Sequence, residues 1–490
     1  MPRGWWHWFG SSAINQLVER AFASSPNLAA ARARLRQAEA QLRAQRGLLA
    51  PQIIANSGLS YGSGGAGQGG NFGNRNPGQN QGNPGQQPGQ QPGQQPDQQP
   101  GQGANGNNQN QGGFGGGDPF TVYTAQATVS YDLDLAGRNR RLVEAANAEY
   151  ERQAQQLQAA YLALIGNIVS AALDSAALRA QIEAREELLD SQNQRIELLR
   201  VRVEEGADAR ADLVTQLADV AALRATIPPL RAQLAASDNR LALLIGAAPA
   251  DAAVPRVQLT DLRLPQTLPI SLPSRLVRTR PDILAAEAVL ARSSAEIGVE
   301  TADLYPNLTL NAGFGVVGGA TGLGLGSPQT IFDFGGNLFA PLFDAGRREA
   351  ERDVAVAAYQ EALALYREQV LTAFTEVANG IRALENDAAA LADQRVALDA
   401  AQESLDLARF RLDEGAISVI DVLTVQRRYE EARFNYIDAI ATRFQDTAAL
   451  FAALGPGPLE DEQLAGISAR EYLDYTRLSL EAGSVPENGL

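Results

Sequence analysis

Few side chains in this sequence could carry covalent or metal chemistry. The 490 residues include no cysteine and one histidine, His7, and all 41 basic residues are arginines. Thiol catalysis, zinc–thiolate sites and catalytic lysines are therefore excluded, and a histidine-based triad or metal centre is disfavoured. Carboxylates are plentiful, but no polar cluster shows catalytic spacing. We expect a protein that is not an enzyme and that needs no cofactor or metal.

Charge and hydropathy argue against two further classes of protein, nucleic-acid binders and proteins with transmembrane helices. The formal net charge of -15 disfavours a nucleic-acid partner, because it repels phosphate. No stretch approaches 18 consecutive apolar residues, which argues against transmembrane helices but leaves a membrane β-barrel open. Trp5, Trp6 and Trp8 could anchor the chain at a membrane interface, but we favour packing against the body of the protein.

An internal duplication organises the chain. An offset of 255 residues places Pro51 on Pro306, and an offset of 209 places Gly206 on Gly415. The two offsets differ by 46 residues, which the first copy carries within a Gly-, Gln-, Asn- and Pro-rich tract at 62–118. This composition cannot bury enough apolar surface to offset its ordering entropy, so we predict a disordered insertion in a surface loop.

Long helices should position the few candidate functional residues. Residues 11–49 contain Pro26 as their one internal proline, and residues 138–204 contain Gly166 as their one breaker, so we predict one helix in each. The second helix would be about 100 Å long. Further helices are expected at about 209–244 and 418–454.

A seven-residue apolar repeat runs through the long helix of each copy. Its positions are Leu384, Leu391, Leu398, Leu405 and Leu412, with Ile182, Leu189, Ile196 and Val203 aligned under the last four. A sustained heptad predicts the seam of a left-handed coiled coil. Both repeats end at Glu-Gly-Ala, where Gly206 and Gly415 suit a helix-ending turn.

Each copy also contains two segments of alternating hydropathy. Leu308, Leu310, Ala312, Phe314 and Val316 share one face, and the pattern repeats from Phe332 to Leu342, from Ile53 to Tyr61 and from Tyr123 to Leu133. Such strands suit a membrane barrel, and a half-buried soluble sheet is the alternative. Four strands cannot close a barrel. Two chains would supply eight strands around a filled interior, and three would supply twelve around an aqueous lumen. We expect residues 317–329 to join the second pair as a loop.

With these features the chain resembles the TolC-like outer-membrane factor family, in particular the lipoprotein branch that serves resistance-nodulation-division efflux pumps. The most specific match runs from Leu272 through Arg280-Pro281-Asp282 and on to Pro306, and the Phe343–Arg347 element and the paired Glu-Gly-Ala tips follow. The resemblance implies a mainly α protomer with four strands and long coiled-coil helices. Three protomers would form a 12-stranded β-barrel continued by an α-helical barrel. The branch is usually anchored by an acylated N-terminal cysteine, which this sequence lacks.

The resemblance also implies a division of the chain. Barrel strands are assigned to 51–131 and 306–343, with 62–118 as an extracellular loop. The periplasmic helical barrel is assigned to 11–50, 132–250, 272–305 and 344–458. Equatorial or peripheral segments are assigned to 1–10, 251–271 and 459–490.

Two groups of site residues follow from the resemblance. Asp212 and Asp421, each six residues after a tip glycine, would form a periplasmic gate, unless they are solvated acids at helix N-termini. The tips would dock a periplasmic adaptor, unless the glycines merely end helices. The tip residues are Arg202, Glu205, Gly206, Ala207, Arg411, Glu414, Gly415 and Ala416.

The resemblance implies an outer-membrane protein of a Gram-negative bacterium that extends into the periplasm. It would be a passive duct exporting drugs or other small toxic solutes. Its partners would be two further copies of itself, the adaptor, an inner-membrane resistance-nodulation-division transporter and outer-membrane lipid. The rival interpretation is a trimeric coiled-coil surface adhesin or structural spacer, which requires neither two hairpins on one sheet nor a duplicated tip.

Overall fold

The computed structural model describes residues 4–62, 120–264, 279–321, 324–325 and 328–455. The chain divides into a helical unit, up to Leu49, over Asp134–Asn307 and from Ala340 onwards, and a sheet unit over Ala50–Leu133 and Leu308–Phe339. The expected loop tract beyond Gly62, the motif residues before Thr279, the peripheral stretch 265–271, the C-terminal segment 459–490 and part of 317–329 lie outside the described residues.

The helical unit is built on two helices of 67 residues each. Its α-helices, within the described ranges, are α1 (Ser12–Ser24), α2 (Pro26–Gly47), α3 (Arg138–Glu204), α4 (Arg210–Ala225), α5 (Ile227–Leu244), α6 (Pro281–Ala302), α7 (Arg347–Asp413) and α8 (Val419–Leu454). Short 3-10 helices lie at Trp5–Phe9 and Leu259–Asp261. Helix α3 packs against α2, α5, α6 and α8, and α7 packs against α8 and α6. The predicted long helix at 138–204 is confirmed.

Two segments predicted as single helices are broken. Residues 11–49 form α1 and α2, because Ser25 adopts an extended conformation before Pro26. Residues 209–244 form α4 and α5, which are separated at Thr226. Two successive prolines, Pro228 and Pro229, cannot donate backbone hydrogen bonds to the preceding turn, so the helix restarts there. The equivalent segment of the second copy lacks these prolines and forms the continuous helix α8.

The residues of the seven-residue apolar repeat are shielded from solvent, as expected for a coiled-coil seam. All nine are buried or half-buried. Leu405 is almost fully buried in a cluster with Ala408 and Val422, which joins α7 to α8. Burial of the repeat against the return helix confirms that it is an interhelical seam.

The largest core cluster lies around the middle of α3. Trp5 is 1% exposed and packs against Phe9 and Phe451, with ring centroids 6.2 and 5.7 Å away. This confirms that the tryptophan packs against the body of the protein. Within the described ranges, α3 alone is long and apolar enough to cross a membrane, but 56% of its most apolar window is buried by neighbouring helices. That burial is typical of a core helix.

The sheet unit consists of four long strands and one short one. They are β1 (Gln52–Gly62), β2 (Phe120–Asp132), β3 (Asn307–Thr321), β4 (Gly324–Leu325) and β5 (Gln329–Phe339). The order is β1-β2-β3, with β5 also paired to β3, and β1-β2 and β2-β3 are antiparallel. Strand β5 ends before Pro341, so Ala340 and Leu342 lie beyond the strand in which we expected them.

The loop expected at 317–329 is shorter than the sequence suggests. Strand β3 continues to Thr321, and β4 pairs with its last two residues. Glycines favoured the loop interpretation, yet Gly318 lies opposite Tyr123 on β2. A β-carbon at Gly318 would lie 2.0 Å from the Tyr123 ring, so the ring fills the space that the glycine leaves. Cross-strand packing thus overrides the low strand propensity of glycine.

One face of the sheet carries large apolar side chains that are exposed among the described residues. Ile53, Phe332 and Phe334 are 73%, 84% and 81% exposed. A soluble half-buried sheet would pack such a face against a core, so this exposure favours a lipid-facing surface.

Candidate functional site

The candidate site residues lie in two turns, each at the end of a long helix. Gly206 and Gly415 adopt φ values of 77° and 72°, in the left-handed region. The backbone N–H of Ala207 bonds to Arg202 O, and that of Ala416 bonds to Arg411 O, both at 2.8 Å. These bonds define a Schellman motif, in which the glycine absorbs the reversal and the last carbonyls gain partners. Duplication has therefore preserved one backbone turn in both copies.

All eight predicted docking residues are exposed. A β-carbon at either glycine would meet no atom within 4 Å among the described residues. The glycines are thus required by conformation and not by crowding. Each turn consequently presents two small residues that directly follow an exposed glutamate, itself preceded by an exposed arginine, a surface that another backbone can approach closely.

An ion pair supports the first turn, between α3 and α4. Arg202 Nε lies 2.7 Å from Asp208 Oδ2. Ala209 at the N-cap of α4 cannot supply a capping side chain. Asp212 lies half-buried in the first turn of α4, and among the described residues its carboxylate has no hydrogen-bond or ion-pair partner.

The second turn, between α7 and α8, is supported differently. Ile417 replaces Asp208 and packs against the cluster around Leu405 and Val422. Ser418 replaces Ala209 and forms a capping box with Asp421: Asp421 N–H donates to Ser418 Oγ at 3.3 Å, and Ser418 N–H donates to Asp421 Oδ2 at 2.9 Å. The Ser418 hydroxyl and N–H hold the pKa of Asp421 below its usual range. Asp421 is thus exposed, ionised and fixed in position.

A partly buried acid, Glu430 on α8, lies between the α3–α4 hairpin and the α7–α8 hairpin. Burial raises the pKa of Glu430 to about 7, although Arg185 on α3 and Arg427 on α8 favour its ionised form. Asp219 on α4 opposes that ionisation. The Arg185 guanidinium stacks over the Phe434 ring at 4.5 Å. Contact between the hairpins here therefore involves a carboxyl group that titrates near neutral pH.

A cluster of polar contacts around Arg280, called the Arg280 cluster below, fixes the N-terminus of α6. Arg280 is 7% exposed, and its guanidinium lies 2.6 Å from Asp282 and 2.7 Å from Glu376 on α7. It also donates to the carbonyl of Ala453 near the end of α8, at 2.9 Å. Burial opposes ionisation of Asp282, but the hydrogen bonds and charge of Arg280 outweigh it and lower the pKa of that carboxyl. The Arg-Pro-Asp motif thus joins three helices.

The structure adds residues that sequence inspection missed. Leu198 and Val201 on α3 are exposed near the first turn, and Leu407 and Phe410 are exposed near the second. The offset of 209 residues aligns the two pairs, and all four lie off the heptad seam. Apolar residues kept off the seam in both copies were the signal that could have identified this surface.

Comparison with known families gives one match that spans both copies. The profile of the outer membrane efflux protein family matches residues 94–247 and 272–456.

Known proteins match over two thirds or more of the chain. The pyoverdine export outer membrane protein OpmQ of Pseudomonas aeruginosa is 29% identical over 461 residues, covering 94% of this chain and 89% of that protein. The cation efflux system protein CusC of Escherichia coli K12 is 24% identical over 337 residues, covering 68% of this chain and 73% of that protein.

Solved structures have the same fold. The outer-membrane channel OprN superposes with a TM-score of 0.76 at 26% identity, covering 92% of each chain. The open state of the MtrE channel of Neisseria gonorrhoeae superposes with a TM-score of 0.73 at 25% identity, covering 91% of this chain and 89% of that one.

Proposed function

Because the chain belongs to the outer membrane efflux protein family, we propose that it is the channel component of a tripartite efflux pump, a passive gated duct from periplasm to exterior. The family consists of outer-membrane channels that form trimers and work with other efflux-pump components. The observation that carries the proposal is the family match across both copies of the duplicated unit.

The sheet unit supports the membrane part of the duct. Its four long strands are 11 to 15 residues long, enough to span the hydrocarbon region as tilted barrel strands. Three chains give twelve strands, and the free edges of β1 and β5 would pair between neighbouring copies. The exposed apolar face would contact lipid and the opposite face would line the lumen.

The helical unit supports assembly with further copies. Helix α7 exposes Val354, Leu371 and Val396, at 70%, 64% and 68%, whereas the sister helix α3 is buried by four neighbouring helices. Side chains of this kind on a long helix would be covered by a neighbouring hairpin in a trimer. The helical unit would thus form the periplasmic part of the duct.

The duct would perform no chemistry, and its cargo would be set by the inner-membrane transporter. Relatives of this chain are named for export of pyoverdine and for efflux of cations. By that analogy we propose that the cargo is a small solute, such as a drug, another toxic compound or a metal ion.

Asp212 and Asp421 are proposed as the periplasmic gate. Each lies in the first turn of a return helix, and three copies of each would place rings of like charge at the mouth of the duct. The capping box holds Asp421 in position, whereas Asp212 has no partner in the described part of the chain. Asp212 is therefore the acid that is free to form a contact with a neighbouring copy.

The two Glu-Gly-Ala turns are proposed to dock the periplasmic adaptor. The test is Gly415→Trp, which places a large side chain on an exposed turn, where it can block the close approach of another backbone. We expect export to be lost while the trimer assembles normally. Retained export with Trp at this position would contradict docking. Gly415→Ala, which imposes the same left-handed strain without the bulk, and Leu243→Trp, at a residue 71% exposed outside the turns, are the controls.

Export in cells tests the function as a whole. A Gram-negative strain that lacks its own efflux channel should regain low accumulation of a fluorescent pump substrate when this protein is expressed with its cognate adaptor and transporter. Expression without the transporter is the control and should leave accumulation high. Equal accumulation in both strains would refute the pump assignment.

A further inference from the structure

The described strands carry very few charged residues, and these all have one sign. Asp132 on β2 and Asp333 on β5 are the charged side chains of the four long strands, and no arginine or lysine occurs in them. Asp132 accepts a hydrogen bond from the Thr309 hydroxyl at 2.5 Å. Asp333 has no hydrogen-bond or ion-pair partner among the described residues, so no described side chain of the sheet unit compensates its charge.

Asp333 belongs to a row of residues that crosses all four long strands, polar on β1, β2 and β5 and glycine on β3. Asn56 on β1 lies opposite Gln126 on β2, and Gln126 lies opposite Gly315 on β3. A β-carbon built on the nearby Gly313 would lie 2.3 Å from Asp333 Oδ1 and 2.9 Å from Gln126 Nε2. The carboxylate and the amide therefore converge on the space above Gly313 that only glycine leaves open.

This row lies on the face opposite the exposed aromatic side chains. Successive side chains of a strand point to opposite faces, so Asp333 lies on one face of the sheet and its neighbours Phe332 and Phe334 lie on the other. Phe314 likewise alternates with Gly313 and Gly315, which are buried while Phe314 is 63% exposed. If the aromatic face contacts lipid, the polar row lines the lumen.

We propose that Asp333, with Gln126 and Asn56, forms a lumen ring that makes the barrel itself select for cationic and zwitterionic solutes. The proposal rests on the trimeric duct proposed above, in which the ring would contain three carboxylates and six amides. Rings of acidic side chains attract cations and repel anions from a pore. No basic side chain of the described strands offsets this charge. This selectivity is separate from any effect of Asp212 and Asp421.

Reversal potentials across a potassium chloride gradient test the ring. The purified full-length trimer in a planar bilayer should favour potassium over chloride. Asp333→Asn should lower that permeability ratio roughly two- to fivefold, and Asp333→Arg should lower it further or invert it. Asp132→Asn, which alters a carboxylate already bonded to Thr309, should have a smaller effect. An unchanged ratio in Asp333→Asn and Asp333→Arg would overturn the proposal.

Thiol labelling tests the orientation of the same residue. The protein has no cysteine, so Asp333→Cys and Phe332→Cys each introduce a unique thiol. A membrane-impermeant anionic methanethiosulfonate should restore cation preference in open Asp333→Cys channels and leave Phe332→Cys channels unchanged. The reverse pattern would place the row on the lipid face and overturn the proposal. Absence of any conductance in the unmodified protein would instead refute the duct, so the two failures are distinguishable.

Discussion

The two hairpin turns share a backbone and differ in the side chains that support it. Both use a left-handed glycine and the same pair of carbonyl contacts. The first turn relies on the Arg202–Asp208 ion pair, and its Asp212 has no side-chain partner in the described part of the chain. The second turn uses Ile417 in an apolar cluster and a capping box through Asp421. Duplication has thus kept the shape that a partner would contact, while the two candidate gate acids have come to occupy different environments.

A similar contrast occurs at the start of α2 and of α6, the helix of each copy that begins with a proline. In the first copy Pro26 follows Ser25, whose side chain does not cap α2. In the second copy Pro281 follows Arg280, which joins Asp282, Glu376 and Ala453. Proline defines the helix start in both copies, and ionic contacts have been added in one.

The largest effect on stability is expected from loss of the Arg280 cluster. Arg280→Ala would leave Asp282 and Glu376 without their cation, and we expect the unfolding free energy to fall by about 2–4 kcal/mol, less than for a fully buried pair because both acids are partly exposed. Ser25→Ala, at the equivalent position, should cost less than about 1 kcal/mol. Urea unfolding of the detergent-solubilised protein measures both. Equal costs would remove the proposed asymmetry between the copies.

The capping box should account for a smaller difference between the turns. Ser418→Ala removes the side-chain acceptor for Asp421 N–H and should destabilise α8 by about 1 kcal/mol. Ala209→Ser creates the missing cap on α4 and should stabilise it by a similar amount. Hydrogen exchange of the first-turn amides of α4 and α8 reports each effect locally. Opposite changes in protection are expected, and unchanged protection in both variants would argue against the capping account.

The smallest expected effect depends on pH. Glu430 has a pKa of about 7 in the fold against an ordinary value of 4.5, so its favourable contribution is complete below pH 4.5 and is lost as the pH rises through 7. Glu430→Gln should therefore raise the melting temperature at pH 8, by an amount equivalent to less than about 1 kcal/mol after allowance for partial exposure, and change little at pH 5. Glu431→Gln, at an exposed neighbour, is the control. A shift that is the same at both pH values would contradict the assigned titration.

Local and periodic features of this fold could be predicted from sequence, whereas long-range contacts could not. The 138–204 helix, the heptad seam and the glycine turns follow from spacing and breakers along one segment. The interruptions at Ser25 and Thr226 involve prolines that were visible but whose effect depends on packing. The glycines of β3 suggested a loop because the covering ring of Tyr123 lies on another strand. Arg280 stood out only through family resemblance, because two of its three partners, Glu376 and Ala453, lie 96 and 173 residues away in sequence.

The duct itself is tested most directly by single-channel conductance of the purified protein in a planar bilayer, compared with the Asp212→Ala/Asp421→Ala double variant. We expect small, discrete conductance steps in the parent protein. In the double variant we expect a severalfold larger conductance, because removing both acid rings relieves the proposed constriction. Absence of conductance in both proteins would contradict the duct, and equal conductance would contradict the gate.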